Sequence, residues 1–170
     1  MMMRYAAKEL RTEPWLTEGA IKFLEDETEP TSRVLEYGAG ASTLWFASRV
    51  GELVSVEGNL AWHERIAAML ENSSGVQLIH HEGYVGAESP FPDGYFDLVL
   101  VDGRNRVACF KAADRVLKPG GYMMLDNSER PRYAPCFDFY AAKPRWSDEQ
   151  LQPDKFGFTY EGWRTSWWQK

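Results

Sequence analysis

Apolar and polar positions along the chain form two recurring patterns. Short continuous apolar runs, typical of strands buried on both faces of a parallel sheet, occur at residues 33–37, 53–57, 76–80, 95–101 and 122–125. Helical periodicity covers residues 17–27, 42–50, 59–70 and 105–117. Strands that alternate with helices in this way predict an α/β fold with a mostly parallel sheet and helices on both of its faces.

The pattern is weaker after residue 127. We predict a short helix around residues 133–142 and two extended segments at 145–151 and 163–168, separated by a loop that contains Pro153 and Gly157. A length of 170 residues suits one domain. We therefore predict a single domain over 1–170, with an N-terminal helix within 17–30, a core at 31–127, and a C-terminal helix and strand pair within 128–170.

The stretch VLEYGAGAST, residues 34–43, marks the turn from the first strand to the next helix. Gly38 and Gly40 allow a sharp bend and let a ligand contact bare main chain. The free N–H groups of the helix, which opens with Ser42 and Thr43, point into the same crevice. This arrangement predicts a site for the polar part of a nucleoside cofactor.

The residues around these glycines distinguish between cofactors. A dinucleotide fingerprint requires a third small residue where Thr43 stands, and Glu36 would repel a diphosphate, whereas it suits a cofactor with a cationic amine. Two alternatives stay open at this point. The chain could be a nicotinamide or nucleotide-sugar enzyme of similar fold, or Gly38 and Gly40 could serve only a tight turn.

Three motifs follow one another along the chain: the EYGAG loop, then the acidic Glu57 that closes LVSVE, and later VLKPGGYMMLDN. With them the chain resembles class I S-adenosylmethionine-dependent methyltransferases over roughly residues 31–127. The resemblance implies a Rossmann-like, doubly wound sheet of seven strands with an antiparallel C-terminal hairpin. The aromatic residues expected on the buried face of that hairpin are Phe156, Phe158, Tyr160, Trp163, Trp167 and Trp168.

The resemblance also implies the cofactor, S-adenosyl-L-methionine, and the residues that bind it. Glu57 would bind the ribose hydroxyls. The loop at residues 81–94, 14 residues with three glycines and two prolines, would lie near the adenine. The predicted cofactor-binding residues are Glu36, Gly38, Gly40, Ser42, Thr43, Glu57, Gly58, Asn59, Glu82 and Tyr84.

Charged residues after the fourth and fifth strands are candidates for catalysis, because such positions face the crevice. Asp102, Asp126 and Asn127 resemble the divalent-cation ligands of metal-dependent catechol-type O-methyltransferases, which is one alternative. Arg104 and Arg106 stand where that family has a second acidic residue, and they would oppose a cation. We therefore predict metal-free catalysis, with Asp102 near the sulfonium or acting as a base and Arg104 or Arg106 binding an anionic acceptor.

The charge distribution bears on the partner. Residues 104–145 hold 9 basic and 4 acidic side chains, whereas residues 1–103 hold 7 and 17, and the net charge is −6. We predict methyl transfer to a small anionic acceptor, on oxygen. Duplex nucleic acid is not expected, since an acidic protein lacks the broad basic surface that such binding requires.

Composition indicates an ordinary soluble protein, with 44% hydrophobic and 26% charged residues. No apolar run approaches the roughly 18 residues of a membrane helix, and the first 14 residues lack the apolar segment of a signal peptide. We predict a cytoplasmic protein with no membrane partner. The sequence shows no inserted cap over the site, so the site could be open, or the second subunit of a homodimer could close it. A separate alternative is a module that binds the cofactor or a partner without catalysis.

Overall fold

The computed structural model describes residues 13–151 and 162–170. The predictions for the first twelve residues, the loop with Pro153 and Gly157, and Phe156, Phe158 and Tyr160 lie outside the described residues. The helices are α1 (Glu18–Glu27), α2 (Ala41–Ala47), α3 (Leu60–Met69), α4 (Arg106–Val116) and α5 (Ala134–Phe139), and a 3₁₀ turn at Pro131–Tyr133 precedes α5. The strands are β1 (Arg33–Tyr37), β2 (Glu52–Glu57), β3 (Val76–His80), β4 (Phe96–Val101), β5 (Leu117–Leu125), β6 (Arg145–Gln150) and β7 (Trp163–Gln169). None of the described helices combines the length and apolar character needed to cross a membrane.

The seven strands form one sheet in the order β3-β2-β1-β4-β5-β7-β6. Strands β1 to β5 pair in parallel, and β7 runs antiparallel to both of its neighbours, β5 and β6. The predicted fold class is therefore confirmed. The strand order reverses between β1 and β4, and in such sheets ligands bind in the crevice beyond the carboxyl ends of the strands at this point.

Side chains alternate along each strand, so the sheet has a hydrophobic core on each face. On one face Leu35 and Val99 pack with α4 and α5, and on the other Val34 and Leu98 pack with α1 and α2. Both faces are covered by helices, which explains why the central strands are apolar throughout.

Strand β5 begins at Leu117, five residues earlier than predicted. The residues after Leu117 include Pro119, Gly120 and Gly121, which are typical of a turn between the predicted helix and strand. The glycines instead allow the strand to pass an irregularity in its pairing with β4: Gly120 has φ +78°, and a Cβ on Gly121 would lie 2.7 Å from the Asp97 carbonyl oxygen.

The N-terminal helix and the C-terminal hairpin are attached to each other. The Gly19 N–H, in the first turn of α1, donates to Asp148 Oδ2 of β6 at 2.8 Å. The Phe23 ring stacks on Trp167 of β7 with ring centroids 4.9 Å apart. These contacts place α1 over the antiparallel end of the sheet.

Candidate functional site

A cavity of about 870 Å³ opens at the carboxyl ends of β1, β2 and β4. Seven of the predicted site residues line it: Gly38, Glu57, Asn59, Tyr84, Asp102, Arg104 and Arg106. The remaining lining residues are Ala39, Ala61, Trp62, Arg65, Gly103, Asn105, Val107, Arg130, Arg132 and Tyr133. The predicted residues that do not line it are Glu36, Gly40, Ser42, Thr43, Gly58 and Glu82, together with Asp126 and Asn127 of the alternative metal set.

Glu57, at the end of β2, connects three segments around the cavity. Its Oε2 accepts the Ala39 N–H at 3.1 Å, and its Oε1 accepts the Asn59 N–H at 2.8 Å and the Tyr84 hydroxyl at 2.9 Å. Asn59 also caps α3, because its side chain accepts the Trp62 N–H at 2.9 Å. The carboxylate therefore holds the glycine loop and the start of α3 in fixed positions.

Gly38 brings the ends of β1 and β4 into direct contact. Its φ is +102°, a conformation that side chains disfavour, and a Cβ there would lie 2.5 Å from the Gly103 nitrogen. The Gly103 N–H donates to the Tyr37 carbonyl at 2.6 Å. Bare main chain at Gly38 thus forms one wall of the cavity.

Glu36 is fully buried below the loop rather than exposed to the cavity. Its carboxylate accepts hydrogen bonds from the hydroxyls of Ser42, of Thr43 at 2.5 Å and of Ser55 at 2.6 Å, and the Thr43 oxygen accepts the Gly40 N–H at 2.8 Å. Burial raises the pKa of Glu36 to about 7, although these hydroxyls oppose the shift. We propose that Glu36, Ser42 and Thr43 act indirectly, by fixing the loop from beneath. The direct contact with a cationic amine that the sequence led us to expect would require a different carboxylate orientation.

We expect Glu36 to make the stability of the fold depend on pH. A carboxyl whose pKa is about 7 when folded, against an ordinary 4.5, binds its proton more tightly in the folded state. The free energy of unfolding therefore falls as pH rises from about 4.5 to about 7, by about 3 kcal/mol in total. Urea unfolding at pH 4.5 and pH 8 should show this extra loss in the wild type relative to Glu36→Gln, which cannot titrate.

The control is Glu52→Gln, a carboxamide at the other end of the neighbouring strand. It should lose stability with pH as the wild type does. If Glu36→Gln and the wild type differed by the same free energy at both pH values, the proposed titration of Glu36 would be wrong.

Arg106 connects the two aspartates that follow β4 and β5. Its Nη2 donates to Asp102 Oδ1 at 2.8 Å and to the Asp102 carbonyl at 2.7 Å, and its Nη1 donates to the Asp126 carbonyl. The Asp126 side chain faces β7, where its Oδ1 accepts Trp163 Nε1–H at 3.0 Å and the Thr165 hydroxyl at 2.8 Å. Burial, reinforced by the charge of Asp126, raises the pKa of Asp102 well above its usual value.

This arrangement bears on the alternative metal site. A cation between Asp102 and Asp126 would have to displace the Arg106 guanidinium or bear its repulsion. Among residues 13–151 and 162–170, no group of three or more His, Cys, Asp or Glu side chains is placed to hold a metal ion. The side chains of Asp126 and Asn127 lie outside the cavity lining. We therefore propose that Arg106 takes the structural place of a cation here.

Three exposed arginines, Arg104, Arg130 and Arg132, surround the cavity beside Tyr133. Arg130 lies 3.6 Å from Glu129, and the Arg132 guanidinium lies over the Tyr133 ring. Within the described parts of the chain, Arg104 and Arg132 form no salt bridge. Sequence reasoning missed Arg130, Arg132 and Tyr133 as lining residues, although the basic excess of residues 104–145 pointed to their segment.

Comparison with known proteins bears directly on this cavity. A family model described as a methyltransferase domain matches residues 35–125, more than half of the chain. The chain belongs to the class I S-adenosylmethionine-dependent methyltransferases. The predicted family and cofactor are thereby confirmed, and the matched segment contains the glycine loop, Glu57 and Asp102.

Individual relatives of this methyltransferase are distant. It is 28% identical over 124 residues to the ubiquinone/menaquinone biosynthesis C-methyltransferase UbiE of Coxiella burnetii, covering 65% of the chain and 48% of that protein. The chain thus spans about half the length of the curated relatives that it matches. Among solved structures, precorrin-6y C5,15-methyltransferase from Geobacter metallireducens superposes with a TM-score of 0.65 at 15% identity, covering 95% of this chain and 94% of that one. The tRNA (m1A58) methyltransferase TrmI from Aquifex aeolicus superposes with a TM-score of 0.66 at 11% identity, covering 95% of this chain and 73% of that one. These superpositions show the fold.

The donor set of the methyltransferase cavity fits S-adenosylmethionine. Gly38 presents main chain without a side chain, and a carboxylate at Glu57 suits a pair of ribose hydroxyls. Asp102 adds an acidic group to the cavity lining, which suits a cationic sulfonium or amine. Among the described residues that line the cavity, Glu57 and Asp102 are the only acidic ones, and Arg104 and Arg132 are exposed at the rim.

Proposed function

We propose that this protein transfers the methyl group of S-adenosylmethionine to an oxygen atom of a small anionic acceptor. The observation that carries the proposal is the position of Arg104 and Arg132 at the same cavity as Glu57 and Asp102. The cavity thus combines carboxylates on the cofactor side with guanidinium groups at the rim. A cytoplasmic location, and a second subunit that closes the site, stay predictions.

The proposed roles follow from the contacts. Bound S-adenosylmethionine supplies a methyl group on a positively charged sulfur. Glu57 would accept the ribose hydroxyls, the Gly38 main chain would contact the cofactor, and Asn59 would hold the start of α3 beside it. The protein's main task is to hold the acceptor in line with the methyl carbon.

Asp102 is the proposed base for an acceptor hydroxyl. Arg106 fixes the carboxylate by bonding both its Oδ1 and its main-chain carbonyl. The raised pKa of Asp102 makes its ionised form a stronger proton acceptor than an ordinary carboxylate. It also means that the base becomes active only as pH rises above the usual aspartate range, so the rate should increase with pH there. Arg106 is then a positioning residue.

The charge of the cavity supports an anionic acceptor. Five arginines line it against two carboxylates, in a protein of net charge −6. Asp102 is paired with Arg106, and Glu57 accepts three hydrogen bonds, so the rim charge of Arg104 and Arg132 is not neutralised by the described residues. A local positive field of this kind attracts small anions, whereas the acidic remainder disfavours a long phosphate backbone.

The acceptor atom has one competing candidate. The curated relatives are named as C-methyltransferases, and at 28% identity they suggest carbon as the alternative to oxygen. Product analysis separates the two, because a methyl ether or ester hydrolyses or cleaves under conditions that leave a carbon–carbon bond intact. A carbon-bound methyl group would correct the proposed acceptor atom and leave the cofactor assignment unchanged.

We expect Arg104→Gln/Arg132→Gln to raise KM for an acidic acceptor about tenfold or more, since a hydrogen bond to a charged group contributes about 1.5–3 kcal/mol. The measurement is transfer of a labelled methyl group from S-adenosylmethionine to hydroxybenzoates and aliphatic hydroxy acids, each paired with its neutral amide. The acids should react and the amides should not. A chelator should leave the rate unchanged.

The matched control is Lys22→Gln/Lys143→Gln, which removes the same charge from exposed positions outside the cavity. Its KM should stay within twofold of the wild type. Equal transfer to acids and amides would contradict the anionic acceptor, and a chelator-sensitive rate restored by Mg²⁺ would contradict the metal-free mechanism.

A further inference from the structure

Tyr84 lies where the three central strand ends meet. Its ring passes between Gly58, which follows β2, and Gly103, which follows β4. A Cβ on Gly58 would lie 2.5 Å from the ring, and one on Gly103 would lie 2.7 Å from it. The side chain is only 4% exposed. Two glycines on opposite sides therefore provide the space that this ring fills, at the position where the strand order reverses.

The Tyr84 hydroxyl is hydrogen-bonded to Glu57, the carboxylate that we assign to the ribose of the cofactor. It donates to Glu57 Oε1, which already accepts the Asn59 N–H, while Oε2 accepts the Ala39 N–H. A carboxylate offers about four lone-pair directions, and three are in use. Two ribose hydroxyls therefore cannot both bind Glu57 while the Tyr84 hydroxyl stays there.

The loop that carries Tyr84 holds it in an unusual conformation. Tyr84 has φ +62°, a left-handed conformation that is uncommon for a non-glycine residue. Its neighbours Gly83 and Gly86 have open space around them, since a Cβ on either would meet only the His81 ring at 3.6 Å or more. Flanking glycines give this part of the loop the freedom to reorient.

We propose that Tyr84 is a reversible plug of the cofactor site, whose ring and hydroxyl occupy the place of the ribose at Glu57. The inference rests on the proposed role of Glu57 as the ribose ligand. Cofactor binding then requires Tyr84 to leave, and the measured affinity is lowered by the fraction of molecules in which the site is closed. This differs from the sequence expectation that Tyr84 is itself a cofactor contact.

The test measures binding of S-adenosylhomocysteine by calorimetry and the association rate by stopped-flow fluorescence. Tyr84→Phe removes the bond to Glu57 and keeps the ring, whereas Tyr84→Ala also clears the space. Affinity should increase at least threefold in Tyr84→Phe and at least tenfold in Tyr84→Ala, with faster association in both. Tyr95→Phe is the control, because that hydroxyl donates to Glu52 away from the cavity.

The outcomes separate this proposal from the proposed function. Weaker or unchanged binding in both Tyr84 variants, with a binding wild type, would overturn the plug and leave the methyltransferase site intact. Binding that appears only when Tyr84 is replaced would support the plug strongly. No binding in the wild type or in any variant would overturn both the plug and the role of Glu57. Because Tyr84→Phe conserves the packing of the ring, the test does not depend on the folding of Tyr84→Ala.

Discussion

Replacing Gly38 by valine should destabilise the fold by about 3 kcal/mol or more and abolish cofactor binding. The backbone at this position has φ +102°, which a β-branched residue does not adopt without strain. The new Cβ would also lie 2.5 Å from the Gly103 nitrogen, and main chain cannot move aside as a flexible side chain can. Urea unfolding and S-adenosylhomocysteine calorimetry measure the two effects separately.

Gly40→Ala is the control for this substitution. A Cβ there would meet nothing within 4 Å, and its φ of 179° is extended backbone that any residue adopts. We expect its unfolding free energy to stay within about 1 kcal/mol of the wild type. Wild-type stability in Gly38→Val would show that the loop does not pack against the end of β4 as described.

Replacing Glu57 by alanine should weaken S-adenosylhomocysteine binding by at least about a hundredfold. Two ribose hydroxyls would lose a charged acceptor, and each such bond contributes about 1.5–3 kcal/mol. The Ala39 and Asn59 N–H groups lose their partner as well, so the loop and the start of α3 become less well positioned. Calorimetry in the wild-type and Tyr84→Phe backgrounds measures the loss with and without competition from Tyr84.

Glu52→Ala provides a comparison on the same strand. Glu52 begins β2 and accepts the Tyr95 hydroxyl at the amino end of the strand, opposite the end that borders the cavity. Its loss should therefore leave cofactor affinity unchanged. Retained tight binding in Glu57→Ala, with the protein folded, would mean that the ribose binds elsewhere, and the proposed site would need to be reassigned.

Short-range sequence patterns predicted those parts of the site whose conformation depends on residues close together in the sequence. Strands β1 and β3 begin and end where the apolar pattern placed them, and α3 lies within the helical segment predicted for residues 59–70. The spacing of Gly38 and Gly40 identified the turn because a strand-to-helix connection of this kind is determined within about ten residues. The family resemblance rested on the same short-range motifs.

Contacts between distant segments could not be predicted from the sequence. Arg106 was one of two arginines expected to bind the acceptor, yet it is buried because the ends of β4 and β5 meet around its guanidinium. Asp126 was expected near the cavity, but Trp163 and Thr165 of β7 bind its side chain from almost 40 residues away in sequence. The surroundings of Glu36 could not be predicted for the same reason, since Ser55 on the neighbouring strand supplies one of its hydrogen bonds.

The position of β7 has a consequence for the order in which the molecule can be assembled. β7 is the last of the seven strands to leave the ribosome, yet it lies between β5 and β6. Until then β5 is an open edge, and Met123 and Met124 lack the tryptophans, Trp168 and Trp167, that pair with them. The central position of β7 means that the sheet is completed by insertion of a strand between two others rather than by addition at its edge. The nascent chain is therefore prone to aggregation until β7 has been synthesised.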